Sequence, residues 1–271
     1  MSTMPFDVEL LAGAYEPDRR RIDVGGGSLI AYTSRSPDKE SENEDTVAII
    51  PWGPQAAVLV VADGAGGLPA GKRASLTAAT SLANSLQLAL EKTMLLRTAV
   101  LNGIEAANAA VRELGNGSAT TLTIVTIEGR LTRTYQIGDS EALVVGQRGL
   151  IKLQTTAHSP TGFAVEAGFL DQRDALHHEE RHLVSNFIGT ADMTIDVGAA
   201  IKLLSRDTVI LASDGLTDNV HIDEIVELAR KGPLEEAADA VIAKAEQRMA
   251  TERRGQPSKP DDLSLIVFRK P

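Results

Sequence analysis

The chain has 271 residues, 43% of them hydrophobic, no cysteine, and 27 basic against 37 acidic side chains for a net charge of −10. Length and apolar content suffice for one large core, while the lack of cysteine excludes disulfides, thiolate metal sites and cysteine nucleophiles. The acidic balance argues against nucleic acid or an anionic membrane surface as the main partner.

Residues 1–27 hold the basic run Arg19-Arg20-Arg21 and the flexible Gly25-Gly26-Gly27, and read as a loosely structured lead-in to a single domain over 28–271. Asp7 and Glu9 interrupt the apolar stretch that a signal peptide needs, and no run reaches transmembrane length, so a soluble, cytoplasmic protein is expected. SLIAYT, TVAII and AAVLVVA then read as strands, the last two separated by the turn former PWGP. From Pro69 the period changes. Ala74, Ala78, Leu82, Leu86 and Leu90, then Leu96, Val100, Ile104, Ala107, Val111 and Leu114, predict two amphipathic helices.

After Gly115-Asn116-Gly117, the segments ATTLTIVTI, LTRTYQI, EALVV and LIKL predict a meander of short antiparallel strands. The polar stretch from His158 to His182, weakly helical around Phe163 to Leu170, reads as a mobile flap that tunes substrate choice. DTVILAS is a strand, IDEIVELARK and PLEEAADAVIAKAEQRM are helices, and DDLSLIVF is the last strand. This order predicts an α+β fold in layers.

Four acidic turns stand out: VLVVADGAGG, YQIGDSEALVV, TVILASDGLTD and DDLSLIVF place Asp63, Asp139, Asp214 and Asp262 at strand ends. Carboxylates converging there repel one another unless a positive charge lies between them, and hard divalent cations with oxygen ligands serve that purpose. The glycines beside the first three let backbone and water approach closely. Any one aspartate alone reads more simply as a turn former or helix cap.

Taken together and in order, Asn43-Glu44-Asp45, Ala62-Asp63-Gly64-Ala65-Gly66-Gly67, Gly117-Ser118-Ala119-Thr120, Gly138-Asp139-Ser140, Ser213-Asp214-Gly215 and Asp261-Asp262 resemble the metal-dependent serine/threonine protein phosphatases of the protein phosphatase 2C type, over roughly residues 28 to 270. The resemblance is to the minimal bacterial-type members. It implies an αββα sandwich of two antiparallel sheets flanked by helices, and hydrolysis of phosphoserine or phosphothreonine in proteins by a hydroxide on a binuclear magnesium or manganese centre. By the same resemblance Asp63 bridges the two ions, the Gly64 carbonyl serves one, and Asp214 and Asp262 serve the other. Glu44 and Asp45 would hold metal-bound waters, and Asp139 falls where some members take a third ion. The implied partners are phosphorylated proteins and a cognate kinase.

The chain departs from the family in two places. Glu40 stands where an arginine usually grips the substrate phosphate, which leaves Arg35 and Lys39 as candidate grips, or as ordinary charges of a solvated loop. Ala65 takes the place of a histidine suggested as general acid in some eukaryotic members. Three rival readings also follow from the residues. Gly66 to Lys72 has phosphate-loop spacing, but Arg73 replaces the required Ser or Thr. His178-Glu179-Glu180-Arg181-His182 is an H-E-x-x-H string of the zinc-peptidase kind in polar surroundings. A phosphatase-like fold that binds phosphoprotein without turnover is the third.

Overall fold

The computed structural model describes residues 7–65, 70–115 and 117–271. In chain order the strands are β1 (Glu9–Ala12), β2 (Asp18–Val24), β3 (Gly27–Ser34), β4 (Thr46–Pro51), β5 (Ala56–Ala62) and β6 (Gly64–Ala65), followed by helices α1 (Ala70–Glu91) and α2 (Leu96–Arg112). Then come β7 (Ala119–Thr120), β8 (Leu122–Glu128), β9 (Leu131–Ile137), β10 (Glu141–Val145), β11 (Ile151–Gln154), α3 (Pro160–Glu166) and α4 (Gln172–Ala175). The chain closes with β12 (Asp196–Val197), β13 (Ile201–Lys202), β14 (Thr208–Ala212), α5 (Asp214–Thr217), α6 (Ile222–Ala229), α7 (Leu234–Ala250) and β15 (Leu263–Arg269).

Two antiparallel sheets carry the fold. One runs β1-β4-β5-β8-β9-β12 with β13 also on β9, the other β11-β10-β14-β15-β3-β2. Alternation along a strand sends neighbours to opposite faces, and here both faces are covered. In β5, Leu59 and Val61 point between the sheets toward Val144, Leu211 and Phe268. Val58 and Val60 point the other way, to Leu82 and Leu86 of α1 and Val100 and Ile104 of α2. On the second sheet Ile210 and Leu265 face Ile225 of α6 and Val241 of α7. Apolar burial on both faces is why AAVLVVA and TVILAS are continuous apolar runs, and the result is the expected αββα sandwich.

Two local expectations change. The segment 1–27 is not a loose lead-in: β1 pairs β4, with Ala12 opposite Thr46, and β2 pairs β3 over its whole length. In β2 alternate residues are exposed, and its arginines bridge outward, Arg20 to Glu9 and Asp18, Arg19 to Asp239 and Arg21 to Glu235. The charge that suggests coil is the polar trim of an edge strand. Nor do the strands after residue 117 form one meander. β8 and β9 belong to the first sheet and β10 and β11 to the second, so the chain changes sheet at Gly138-Asp139-Ser140. Gly138 has φ +98°, a conformation suited to glycine. Among the described residues no helix is long and apolar enough to cross a membrane.

Candidate active site

The acidic turns gather at one end of the sandwich because β5, β14 and β15 end or begin there. Asp63, just after β5, is clamped through its backbone. Its N–H donates to Thr121 Oγ1 at 3.0 Å, and its carbonyl accepts from Thr121 N at 2.8 Å and Thr120 Oγ1 at 2.7 Å. The glycine-serine-threonine strand entry thus works by fixing Asp63. The Thr121 and Ser140 hydroxyls lie 2.8 Å apart, linking this turn to the one that holds Asp139. Gly64 pairs with Thr120 and packs on Gly71 at the start of α1, where a Cβ would lie 2.3 Å from the Gly71 carbonyl.

Asp214 opens α5 directly after β14. Gly215 allows that helix to sit on the entry to β15, since a Cβ there would be 2.0 Å from the Asp262 carbonyl oxygen. Asp45 lies at the start of β4, 1% exposed, and neither of its carboxylate oxygens has a hydrogen-bond partner among the described residues. Glu44 Oε1 and Asp214 Oδ1 are likewise buried and unpartnered.

These groups feel one another. Burial, then the charges of Asp45 and Asp214, push the Asp63 carboxyl well above the usual range. Burial and the charges of Asp214 and Asp218 do the same to Asp139, and burial and Asp262 to Asp45. Asp218 and Asp261 are pushed up to about 6, each by burial and then by Asp214. Buried, mutually repelling oxygens with no hydrogen-bond donor suit a hard divalent cation, and the donor set, all oxygen, fits magnesium or manganese. Among the described residues no three acidic or histidine side chains already stand as a closed ligand shell. Asp214, Asp218 and Asp261 instead converge on the Lys259 ammonium, at 2.5, 2.8 and 3.2 Å.

Asp262 sits elsewhere than expected. Its Oδ1 accepts from Ser36 N at 2.8 Å, and its Oδ2 accepts from Glu44 N at 2.8 Å and Lys39 Nζ at 2.7 Å. This carboxylate is fully used in pinning the loop that carries Glu44 and Asp45, and the adjacent Asp261 faces Asp214 in its stead. Lys39 also pairs with Glu44 Oε2 at 2.5 Å, so its ammonium is an internal brace and not a free phosphate grip. Arg35 donates to the Glu40 carbonyl at 3.1 Å and lies 5.8 Å over the Tyr15 ring. Sequence reading missed Asp261, Asp218 and Lys259 as site residues, although the paired Asp261-Asp262 and the proximity of Asp218 to Asp214 were visible.

A cleft of about 550 Å³ opens beside the cluster, with Asp139, Glu141, Asp214 and Asp218 on one side and α3 and α4 on the other. The polar stretch 158–182 therefore forms a wall of this cleft. His158 anchors it: its Nδ1 accepts from Gly138 N at 3.3 Å and lies 2.8 Å from Asn186 Nδ2. The H-E-x-x-H string does not form a helix. α4 ends at Ala175, and Glu180 N donates to His178 Nδ1 across a turn, so the two histidines are not presented one helical turn apart. Of the phosphate-loop stretch, 66–69 lies outside the described residues, and Lys72 is in α1, paired with Glu42.

Residues 36–253 match the family Protein phosphatase 2C. The serine/threonine phosphatase stp of Listeria monocytogenes is 27% identical over 215 residues, covering 75% of this chain and 84% of that protein. The serine/threonine phosphatase PstP/Ppp of Mycobacterium tuberculosis superposes with a TM-score of 0.72 at 25% identity, covering 89% of this chain and 97% of that one. A PstP catalytic domain solved in complex with two manganese ions gives a TM-score of 0.68 at 24% identity, covering 89% and 96%.

Proposed function

Because this chain belongs to the protein phosphatase 2C family, we propose that it is a metal-dependent phosphatase that removes phosphate from phosphoserine and phosphothreonine in proteins. The observation that carries the reading is the buried, unpartnered carboxylate of Asp45 among Asp63, Asp214 and Asp261. We assign the holding of two magnesium or manganese ions to Asp63, the Gly64 carbonyl, Asp214 and Asp261, with Asp45 and Glu44 behind them. Asp261 takes the part first given to Asp262.

Two divalent cations bound there supply the lowered water pKa and the phosphoryl charge neutralisation that this hydrolysis needs. The protein's own contribution is positional. The threonine clamp holds Asp63, Asp262 and Lys39 hold the Glu44–Asp45 loop, and Gly215 seats Asp214. Phosphoryl transfer is largely an electrostatic problem, so fixed carboxylates on rigid strand ends suit it without a covalent protein nucleophile. The cleft under α3 and α4 is where we place the phosphopeptide chain beyond the phosphate. A protein kinase or its substrates in the cytoplasm are the partners this reading suggests.

The test is phosphate release from phosphothreonine and phosphoserine peptides by metal-stripped protein with manganese or magnesium restored. Release that depends on metal, disappears in Asp63→Asn and persists in His178→Ala supports the reading. Tight phosphopeptide binding with no release under either metal would replace it with a binding module.

A further inference from the structure

The Lys259 ammonium has three protons to donate and three carboxylates around it: Asp214 Oδ2 at 2.5 Å, Asp218 Oδ2 at 2.8 Å and Asp261 Oδ2 at 3.2 Å. Its side chain is 22% exposed. A solvent-exposed lysine pair contributes little and wanders, but this one is anchored at its root. Lys259 N donates to Asn219 Oδ1 at 2.7 Å, and Asn219 Nδ2 donates to the Lys259 carbonyl at 2.8 Å and to the Gly215 carbonyl at 2.9 Å. Asn219 is fully buried. The lysine is thereby tied to the same helical turn that presents Asp214 and Asp218.

The oxygens divide into two groups. Asp214 Oδ2, Asp218 Oδ2 and Asp261 Oδ2 are taken by the ammonium, while Asp214 Oδ1 and both oxygens of Asp45 have no partner among the described residues. A divalent cation draws oxygens to about 2.0–2.6 Å and brings twice the charge, so it and the ammonium cannot share one corner. We propose that Lys259 is a resident cation at the Asp214, Asp218 and Asp261 corner, keeping a third divalent ion out of it and so fixing how many metal ions this site takes. The inference rests on the metal-dependent reading above. It assigns Asp218 to the lysine, and leaves the unpartnered oxygens to the two ions.

The test is manganese titration by calorimetry on metal-stripped wild type, Lys259→Met and Lys259→Arg, with circular dichroism checking that each is folded. The expected result is one more manganese ion bound per chain by Lys259→Met than by wild type, with Lys259→Arg matching wild type. Equal, non-zero stoichiometry and affinity in wild type and Lys259→Met would overturn the proposal and leave the metal-dependent reading intact. No binding by any of the three overturns both. A measurement on wild type alone guards against a variant that fails to fold: acylation of Lys259 by an amine-reactive ester, followed by mass spectrometry. A resident ammonium stays protected with and without saturating manganese, and a Lys259 that becomes reactive when manganese is added has been displaced by metal, which refutes the idea.

Discussion

Asp261 and Asp262 are adjacent in the chain, yet their carboxylates serve different masters: Asp261 Oδ2 lies 3.2 Å from Lys259 Nζ beside Asp214, and Asp262 Oδ2 lies 2.7 Å from Lys39 Nζ behind Asp45. In extended backbone, successive side chains point to opposite sides, so the entry to β15 feeds the acidic cluster with one carboxylate and braces the Glu44–Asp45 loop with the next.

The two aspartates should therefore fail differently. Asp261→Asn is expected to keep the melting temperature near wild type and to lower manganese affinity and turnover, by at least about tenfold. Asp262→Ala strands Lys39 and removes the acceptor of two backbone N–H groups, so it should cost about 3 kcal/mol of stability. Calorimetric metal binding and thermal melts on both variants decide the matter, and the reverse pattern would restore Asp262 as the ligand.

The metal-free protein should lose stability as pH rises from about 4 to 6. Asp218 and Asp261 titrate near 6 in the folded chain against an ordinary 3.8. Across that window the folded state holds more protons than the unfolded state, which makes the slope of stability with pH negative. His158, whose pKa burial lowers, adds an opposite slope, with stability rising as pH climbs toward its ordinary 6.5. The comparison is therefore wild type against Asp218→Asn in chelator, followed by thermal melting. The variant should show the shallower fall, and identical pH profiles would mean that Asp218 is not strained by burial.

Gly64→Ala changes no charge yet should damage the site. Its Cβ would lie 2.3 Å from Gly71 backbone atoms and 2.7 Å from the Glu44 carbonyl oxygen, and backbone on three sides cannot move aside cheaply. A loss of about 1–3 kcal/mol is expected, along with weaker manganese binding as the Asp63–Gly64 turn shifts. A variant with wild-type melting temperature and metal affinity would show that the turn has room to spare.

Manganese should raise the melting temperature in a concentration-dependent way, because ions that bind only the folded chain stabilise it by mass action, about 2.7 kcal/mol at a hundredfold excess over Kd. Asp63→Asn should abolish that rise. A melting curve indifferent to manganese in the wild type would argue against a metal centre at these carboxylates.

The sequence disclosed most of the fold because the sandwich buries both faces of its central strands: AAVLVVA and TVILAS have no polar face, and α1, α2, α6 and α7 carry helical apolar periods. It hid β1 and β2, whose stabilisation comes from pairing to β4 and β3 and from ion pairs such as Arg20 with Glu9, none of which leaves an apolar signature. The site was legible as acidic turns in order, but a one-residue choice between Asp261 and Asp262 depends on strand register, which residue type does not encode. Lys259 was invisible for another reason. A lysine in the polar TERRGQPSKP looks like solvent-facing charge until Asn219 ties its backbone to α5.

The passage of the chain from one sheet to the other at Gly138-Asp139-Ser140 has a consequence for how the protein reports its own integrity. Asp45 and Asp63 hang from one sheet, Asp214 and Asp261 from the other, and Asp139 from the hinge between them. Neither half owns a complete set of ligands. Any event that lets the sheets slide or part, whether heat, a core substitution or an incomplete chain, dissolves the site before either sheet need unravel. Phosphatase activity is then a property of the assembled sandwich alone, and a partly folded chain is silent.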